Sequence, residues 1–199
     1  MRQKITFLLL LGFLTLLPGL YAATYQMDAE HTTVSFKIRH LFSKVQGMFT
    51  KFEGSFDYDA ANPEVLKANA IIKADSINTQ VEQRDKHLRS ADFFDVEKFP
   101  EITFTSNKVE DAKDGKTKLH GILTIHGQKR RVVLDVEVHG VGKDPWGNVR
   151  AGLTASTTIN RKDYGLTWNK AVETGGALVG DDVEILLEVE GILQEAPAK

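Results

Sequence analysis

The sequence predicts an all-β fold, an antiparallel sheet of about eight strands that is either closed on itself or doubled into a sandwich, with one short helix. Three observations carry that prediction. Apolar and polar residues alternate with period two through most of the chain. Compact turn signals separate the alternating runs, and a single segment breaks the pattern with helical spacing. The composition fits one ordinary globular domain: 199 residues, 42% hydrophobic, 26% charged and a net charge of -2. There is no basic excess, so nucleic acid is not an expected partner. There are no cysteines, which removes disulfides, thiolate nucleophiles and Cys-ligated metal centres together.

The first residues read as a leader rather than as part of the fold. Arg2 and Lys4 precede an almost wholly apolar run from Ile5 to Leu17. Pro18-Gly19 breaks the run, and Leu20-Tyr21-Ala22-Ala23 ends in small residues. That is the layout of a secretory signal peptide with cleavage near Ala22 or Ala23. The apolar run is shorter than the roughly 20 residues of a spanning helix. The expected organisation is a signal peptide over residues 1–22 and one domain over 23–199. Loss of Arg2 and Lys4 leaves an exported chain that is mildly acidic.

The strands follow in order. Val34, Phe36 and Ile38 alternate with Ser35, Lys37 and Arg39, so one face is wet. Met48, Phe52, Phe56 and Tyr58 share one parity. Leu66, Ala68, Ala70 and Ile72 face away from Lys67, Asn69 and Lys73. Ile102 and Phe104 alternate with threonines, and Leu119, Leu123 and Ile125 share a face. Val132, Leu134, Val136 and Val138 oppose Asp135 and Glu137. Finally, Val183, Ile185, Leu187 and Val189 oppose Glu184, Glu188 and Glu190. The turns are expected at Ala60-Ala61-Asn62-Pro63, Asp114-Gly115, His126-Gly127, Gly140 to Gly147, and Gly175-Gly176.

The exception is helical. Thr79-Gln80-Val81-Glu82 reads as a capping box with Thr79 as N-cap. Glu82 with Lys86 and Asp85 with Arg89 are i,i+4 pairs in the favourable order. The helix is expected to run to about Ser90, with Val81, Leu88 and Ala91 as a narrow apolar stripe. It would lie across one mouth of a closed sheet.

Such a barrel is just wide enough to be filled by side chains or to hold one small ligand. Inward parity includes small residues (Ala68, Ala70, Ala74, Gly121, Ala151, Ala155) that cannot fill an axis. Phe36, Phe52, Phe56, Ile72, Phe104 and Leu153 are the candidate wall of an apolar tunnel, a dry core being the alternative. Arg84 and His87, i,i+3 neighbours, are candidates for a ligand head group, since a guanidinium fork suits phosphate. Arg89 reads as a pin holding the helix to the barrel. Phe93 and Phe94 either seal the mouth or pack, and Trp146 either plugs the far end or touches ligand. The six histidines show no His-x-His or His-x3-His spacing, so no metal site is expected. No Gly-x-Ser-x-Gly elbow or phosphate loop occurs, and no catalytic residue or cofactor is expected.

Several stretches together resemble the YceI-like family of periplasmic polyisoprenoid-binding proteins. The most specific is Arg84-Asp85-Lys86-His87-Leu88-Arg89-Ser90-Ala91-Asp92-Phe93-Phe94. Others are His31-Thr32-Thr33-Val34, Phe99-Pro100-Glu101-Ile102-Thr103-Phe104, Gly121 to Gly127, Asp144 to Gly152, Arg161-Lys162-Asp163-Tyr164-Gly165 and Val179 to Val183. The resemblance runs from about Ala23 to Leu193. It implies a lipocalin-like eight-stranded antiparallel barrel whose apolar interior holds an isoprenoid tail, working in the periplasm. The expected partner is an isoprenoid or other long-chain amphiphile, captured in a largely preformed tunnel with Thr79 to Phe94 as gate. Dimerisation stays open as a possible homodimer. A second class is an enzyme on a small hydrophobic or isoprenoid substrate, with Asp85 and His87 as acid–base groups. An integral outer-membrane barrel is a third, which the charged positions Lys37, Arg39, Lys67, Asp135, Glu184 and Glu188 argue against.

Overall fold

The computed structural model describes residues 22–171 and 177–194. The expected leader lies outside the described residues except for Ala22, and so does the Gly175-Gly176 turn.

One antiparallel sheet closes on itself, which settles the barrel against the sandwich. Eleven strand segments make eight staves because the first three staves are bent. The first stave is β1 (Ala23–Met27) with β2 (Thr33–His40), and the second is β3 (Ser43–Phe49) with β4 (Phe52–Tyr58). The third is β5 (Lys67–Lys73) with β6 (Ile77–Asn78). After helix α1 (Glu82–Arg89) come β7 (Glu101–Lys113), β8 (Lys116–Ile125), β9 (Gln128–Lys143), β10 (Val149–Asn160) and β11 (Val179–Leu193). β11 closes the ring, pairing with β2 through its first half and with β1 near its end.

Period two sets the two faces. Phe56, Phe104, Leu123, Leu134, Leu153 and Val189 are buried inside, while Lys37, Arg39, Lys67, Asp135, Glu184 and Glu188 are exposed outside. The outer surface therefore carries charge where a bilayer-spanning barrel needs an apolar band. No helix among the described residues is long and apolar enough to cross a membrane. Two hairpins turn as their sequences predict. Asp114-Gly115 and His126-Gly127 place both central residues at positive φ (52° and 76°, 50° and 72°), the geometry that matches strand twist.

Four expectations are corrected. Met48 does not share the inward parity of Phe52. The stave bends at Thr50-Lys51, where Ser76 holds both backbone N–H groups (Thr50 N to Ser76 O 3.2 Å, Lys51 N to Ser76 Oγ 3.1 Å). The bend resets the alternation, so Phe49 is buried inside and Met48 pairs with Ser35 on the other parity. The turn expected over Gly140 to Gly147 is shorter. β9 runs on to Lys143 through a bulge opposite Gly152, where Gly140 takes φ 145°, a conformation that only glycine adopts easily. Thr79 is not an N-cap; Val81 occupies that place without a side-chain bond. Of the expected stripe only Leu88 packs inward, with Val81 and Ala91 exposed.

The ends of the barrel differ. At the end away from the helix, Tyr25 stacks on Phe56 (ring centroids 5.3 Å) beside buried Tyr58 and Leu66. Outside them Arg150 binds Asp28 (2.6 Å), Glu190 (2.6 Å) and Asp144 (2.8 Å). The Arg150 guanidinium holds the Asp28 carboxyl down at about 2 and lowers that of Asp144 as well. Asp28, His31 and Glu190 bring possible ligand atoms within 4.8 Å of one another, but Arg150 already supplies the cation there. Trp146, in the β9–β10 turn at this end, is 81% exposed and plugs nothing.

Candidate functional site

At the helix end the barrel is open beneath α1. A cavity of about 500 Å³ lies there, walled by Phe36, Ile38 and His40 of β2, Val45 of β3, Leu88 of α1, and Val179 and Val183 of β11. Phe93, Phe94, Leu166 and Trp168 add apolar surface, and Thr79, Gln83, Arg84, His87 and Arg161 supply the polar part of the wall. A second, deeper space of about 120 Å³ occupies the barrel interior, lined by Phe36, Phe49, Phe56, Ile72, Phe104, Leu153 and further apolar side chains. Phe36 belongs to both walls. It packs against Phe49 (5.8 Å), which packs edge-on against Phe94 (5.9 Å). These three rings stand where chamber meets bore.

The bore is narrow because aromatic rings fold onto glycines. A Cβ on Gly121 would stand 2.4 Å from the Phe104 ring, and one on Gly47 would stand 2.4 Å from Phe36. The small inward residues thus receive the phenylalanines rather than leaving the axis empty. The space is comparable to an apolar cavity of about 150 Å³ that takes one benzene. The chamber falls in the roughly 300–1,000 Å³ range of small-molecule sites. Of the ready-made space, most is the chamber and the lesser part the bore.

Helix α1 is fastened down as the chamber's cover. Asp85 is buried and accepts from Thr79 N (2.8 Å) and from the Thr79 hydroxyl. Arg84 donates Nε to Thr79 Oγ1 (2.7 Å) and Nη2 to Thr79 O (2.8 Å). Arg89 donates to the carbonyls of Asp75 (2.8 Å) and Ile77 (2.9 Å), so it pins the helix through backbone oxygens. The Asp85–Arg89 pair therefore does not form; both side chains turn to the barrel, and Arg89 approaches Glu82 only at 3.9 Å. Charge-assisted bonds of this kind are the stronger ones, and they tie the segment to the barrel.

Of the sequence-predicted site residues, Phe36, Arg84, His87, Leu88, Phe93 and Phe94 border the chamber. Phe36, Phe56, Ile72, Phe104 and Leu153 border the bore. Phe52 borders neither; it is half-buried against Ile72 of the neighbouring strand and the core. His87 Nε2 lies 2.8 Å from Asp92 Oδ2, and its ring meets Phe93 (5.1 Å) and Trp168 (4.9 Å) edge-on. Asp85 and His87 thus bond to different partners, and no acid–base dyad forms between them.

The sequence reading missed Trp168 and the chamber role of Arg161. Arg161 is 3% exposed and donates to Gly180 O (2.8 Å), Trp168 O (2.9 Å) and Leu166 O. Burial lowers its pKa against the opposing pull of Asp181. By gathering three carbonyls it folds residues 166–168 into the chamber wall. The arginine stood in the Arg161-to-Gly165 stretch, but irregular backbone has no periodicity to announce such folding.

The fold and the apolar chamber define a lipocalin-like barrel with an interior site open at one end. The YceI-like domain model matches residues 25–191, and the chain belongs to that family. A UPF0312 protein of Pectobacterium atrosepticum is 43% identical over 178 residues, covering 87% of this chain and 88% of the relative. One from Shewanella baltica is 40% identical over 194 residues, covering 96% and 98%. Among solved structures, a Campylobacter jejuni YCEI protein superposes with TM-score 0.69 at 36% identity, covering 80% of this chain and 91% of that one. Burkholderia cenocepacia BcnA gives 0.73 at 22% identity (82% and 98%). A polyisoprenoid binding domain from Saccharophagus degradans gives 0.65 at 15% (87% and 99%). The last two show likeness of fold.

Proposed function

We propose that the protein is a periplasmic carrier that shelters the tail of an isoprenoid lipid, polyprenyl or quinone-like, after removal of its leader. The observation that carries this reading is the chamber of about 500 Å³, mostly apolar with Arg84, His87 and Arg161 on its wall, beside an apolar bore that shares Phe36 with it. The polyisoprenoid-binding description of the Saccharophagus domain supports the tail class. Binding rather than catalysis is favoured because Asp85 and His87 are committed to separate partners.

Magnitudes decide where the tail sits. Burying a methylene gains about 0.8 kcal/mol, so a five-carbon unit gains roughly 4 kcal/mol. Association costs roughly 4–15 kcal/mol or more. One unit in the bore would not hold a ligand, whereas three or four in the chamber with one end past Phe36 would. Arg84 and His87 at the chamber edge are placed beside the head group.

Native mass spectrometry of protein purified from a quinone-producing host tests the proposal. It should show an apolar adduct, lost in Leu88→Asp. A clean apo mass in the wild-type protein contradicts it.

A further inference from the structure

The tip of the β2–β3 hairpin is built unlike the other tight turns of the barrel. Asp114-Gly115 and His126-Gly127 use residues suited to positive φ and to water. The β2–β3 tip uses Leu41-Phe42, between paired His40 and Ser43. Leu41 takes φ 49°, a left-handed conformation costly for a branched apolar residue. Phe42 is 93% exposed, and Leu41 is 39% exposed. Strand alternation does not require either residue, and Phe42 gains almost no burial within the fold.

The tip stands at the lip of the chamber. His40 lines the chamber, and Leu41 N bonds Leu178 O (3.0 Å) at the start of the adjoining stave, where Leu178 also lines it. Arg39 and Lys44 flank the tip; Arg39 donates to Phe42 O (3.3 Å), and Lys44, still half-exposed, also pairs with Glu184. An exposed aromatic ring between basic side chains matches the boundary of an anionic bilayer: the ring enters the acyl edge while the cations meet lipid phosphates. We propose that the Leu41-Phe42 tip docks the open mouth onto an anionic phospholipid surface, so that a tail passes between bilayer and chamber without crossing water.

Trp146 supplies an internal control. It is also a highly exposed aromatic, but strand register puts the β9–β10 turn at the other end of the barrel from the β2–β3 tip. Co-sedimentation of the mature protein with phosphatidylglycerol-containing vesicles should show binding that vesicles of phosphatidylcholine alone do not support. Phe42→Ser should weaken it roughly tenfold, as befits withdrawal of one phenyl ring from burial. Leu41→Gly, which also relieves the backbone, should weaken it while leaving the protein at least as stable. Trp146→Ala should bind like wild type. All variants should still take up a detergent-solubilised prenyl lipid, so failure of docking is told apart from failure of tail capture. Three results overturn the proposal: no vesicle binding by wild type, equal binding by Phe42→Ser, or equal loss in Trp146→Ala. Self-association abolished by Phe42→Ser, without vesicle binding, would assign the tip to a second copy instead.

Discussion

The two ends of this barrel come from the same alternating strands, yet one is sealed and the other hollow. At the sealed end, Tyr25, Phe56, Tyr58 and Leu66 are buried on adjoining staves and Arg150 ties three carboxylates outside them. At the hollow end, the staves splay around space that α1 and residues 161–168 roof over. Space persists there because the roof is held by polar bonds to backbone, from Arg84, Arg89 and Arg161, rather than by side chains sinking into the core. The difference teaches that an interior site survives where ordering comes from hydrogen bonds at the rim, leaving the apolar faces beneath unfilled.

Identical truncations at the two ends should break this symmetry most visibly. Phe56→Ala removes a 2% exposed ring stacked on Tyr25, and should cost about 3–5 kcal/mol in denaturant unfolding. Phe36→Ala, already beside empty space, should cost much less, widen the passage from chamber to bore, and shift the bound tail toward longer chains in native mass spectra. An equal loss for both would mean that the helix end is packed as tightly as the other.

The roof comes next. Asp85→Ala strips the partner from Thr79 N and its hydroxyl in a buried setting, and should cost about 1–3 kcal/mol. Hydrogen exchange should quicken over residues 79–94 while β7–β10 keep their protection. In the opposite direction, the Tyr164 hydroxyl is buried without a partner among the described residues, and burial pushes its pKa up to about 12. Tyr164→Phe should therefore raise stability by about 1 kcal/mol; a loss would reveal a hidden bond.

The sealed end carries the largest carboxyl shifts. A carboxyl lowered on folding stabilises above its ordinary titration range, and the benefit fades as pH falls through its folded value. Asp28 drops from 3.8 to about 2 beside Arg150. The Tm advantage of wild type over Arg150→Ala should shrink between pH 4 and about pH 2. A constant difference across that window would remove the ion network from the account. Trp146→Ala, at the same end, should move stability by no more than about 0.5 kcal/mol.

Much of the fold was legible because a closed sheet enforces period two. Phe36, Phe104, Leu134 and Val189 face inward as alternation requires, and two Xaa-Gly hairpins fell where their φ demands predicted. Alternation fails at Thr50-Lys51, where the bend resets parity, so Phe49 was overlooked and Met48 misplaced. It fails again over 161–168, where Arg161 folds irregular chain and brings Trp168 to the chamber. It also names only the inward side, never the room left there. Phe56 and Phe104 do line the interior as read, but Phe56 stacks on Tyr25 and Phe104 folds onto Gly121, leaving a bore of only about 120 Å³.

The central claim is tested most directly by a diffraction map of the mature protein loaded with a prenyl lipid. The account predicts continuous density beneath α1, bounded by Leu88, Val183 and Trp168, with its end past Phe36. Density confined to the outer surface, or an empty chamber in a protein shown by mass to carry lipid, would contradict it.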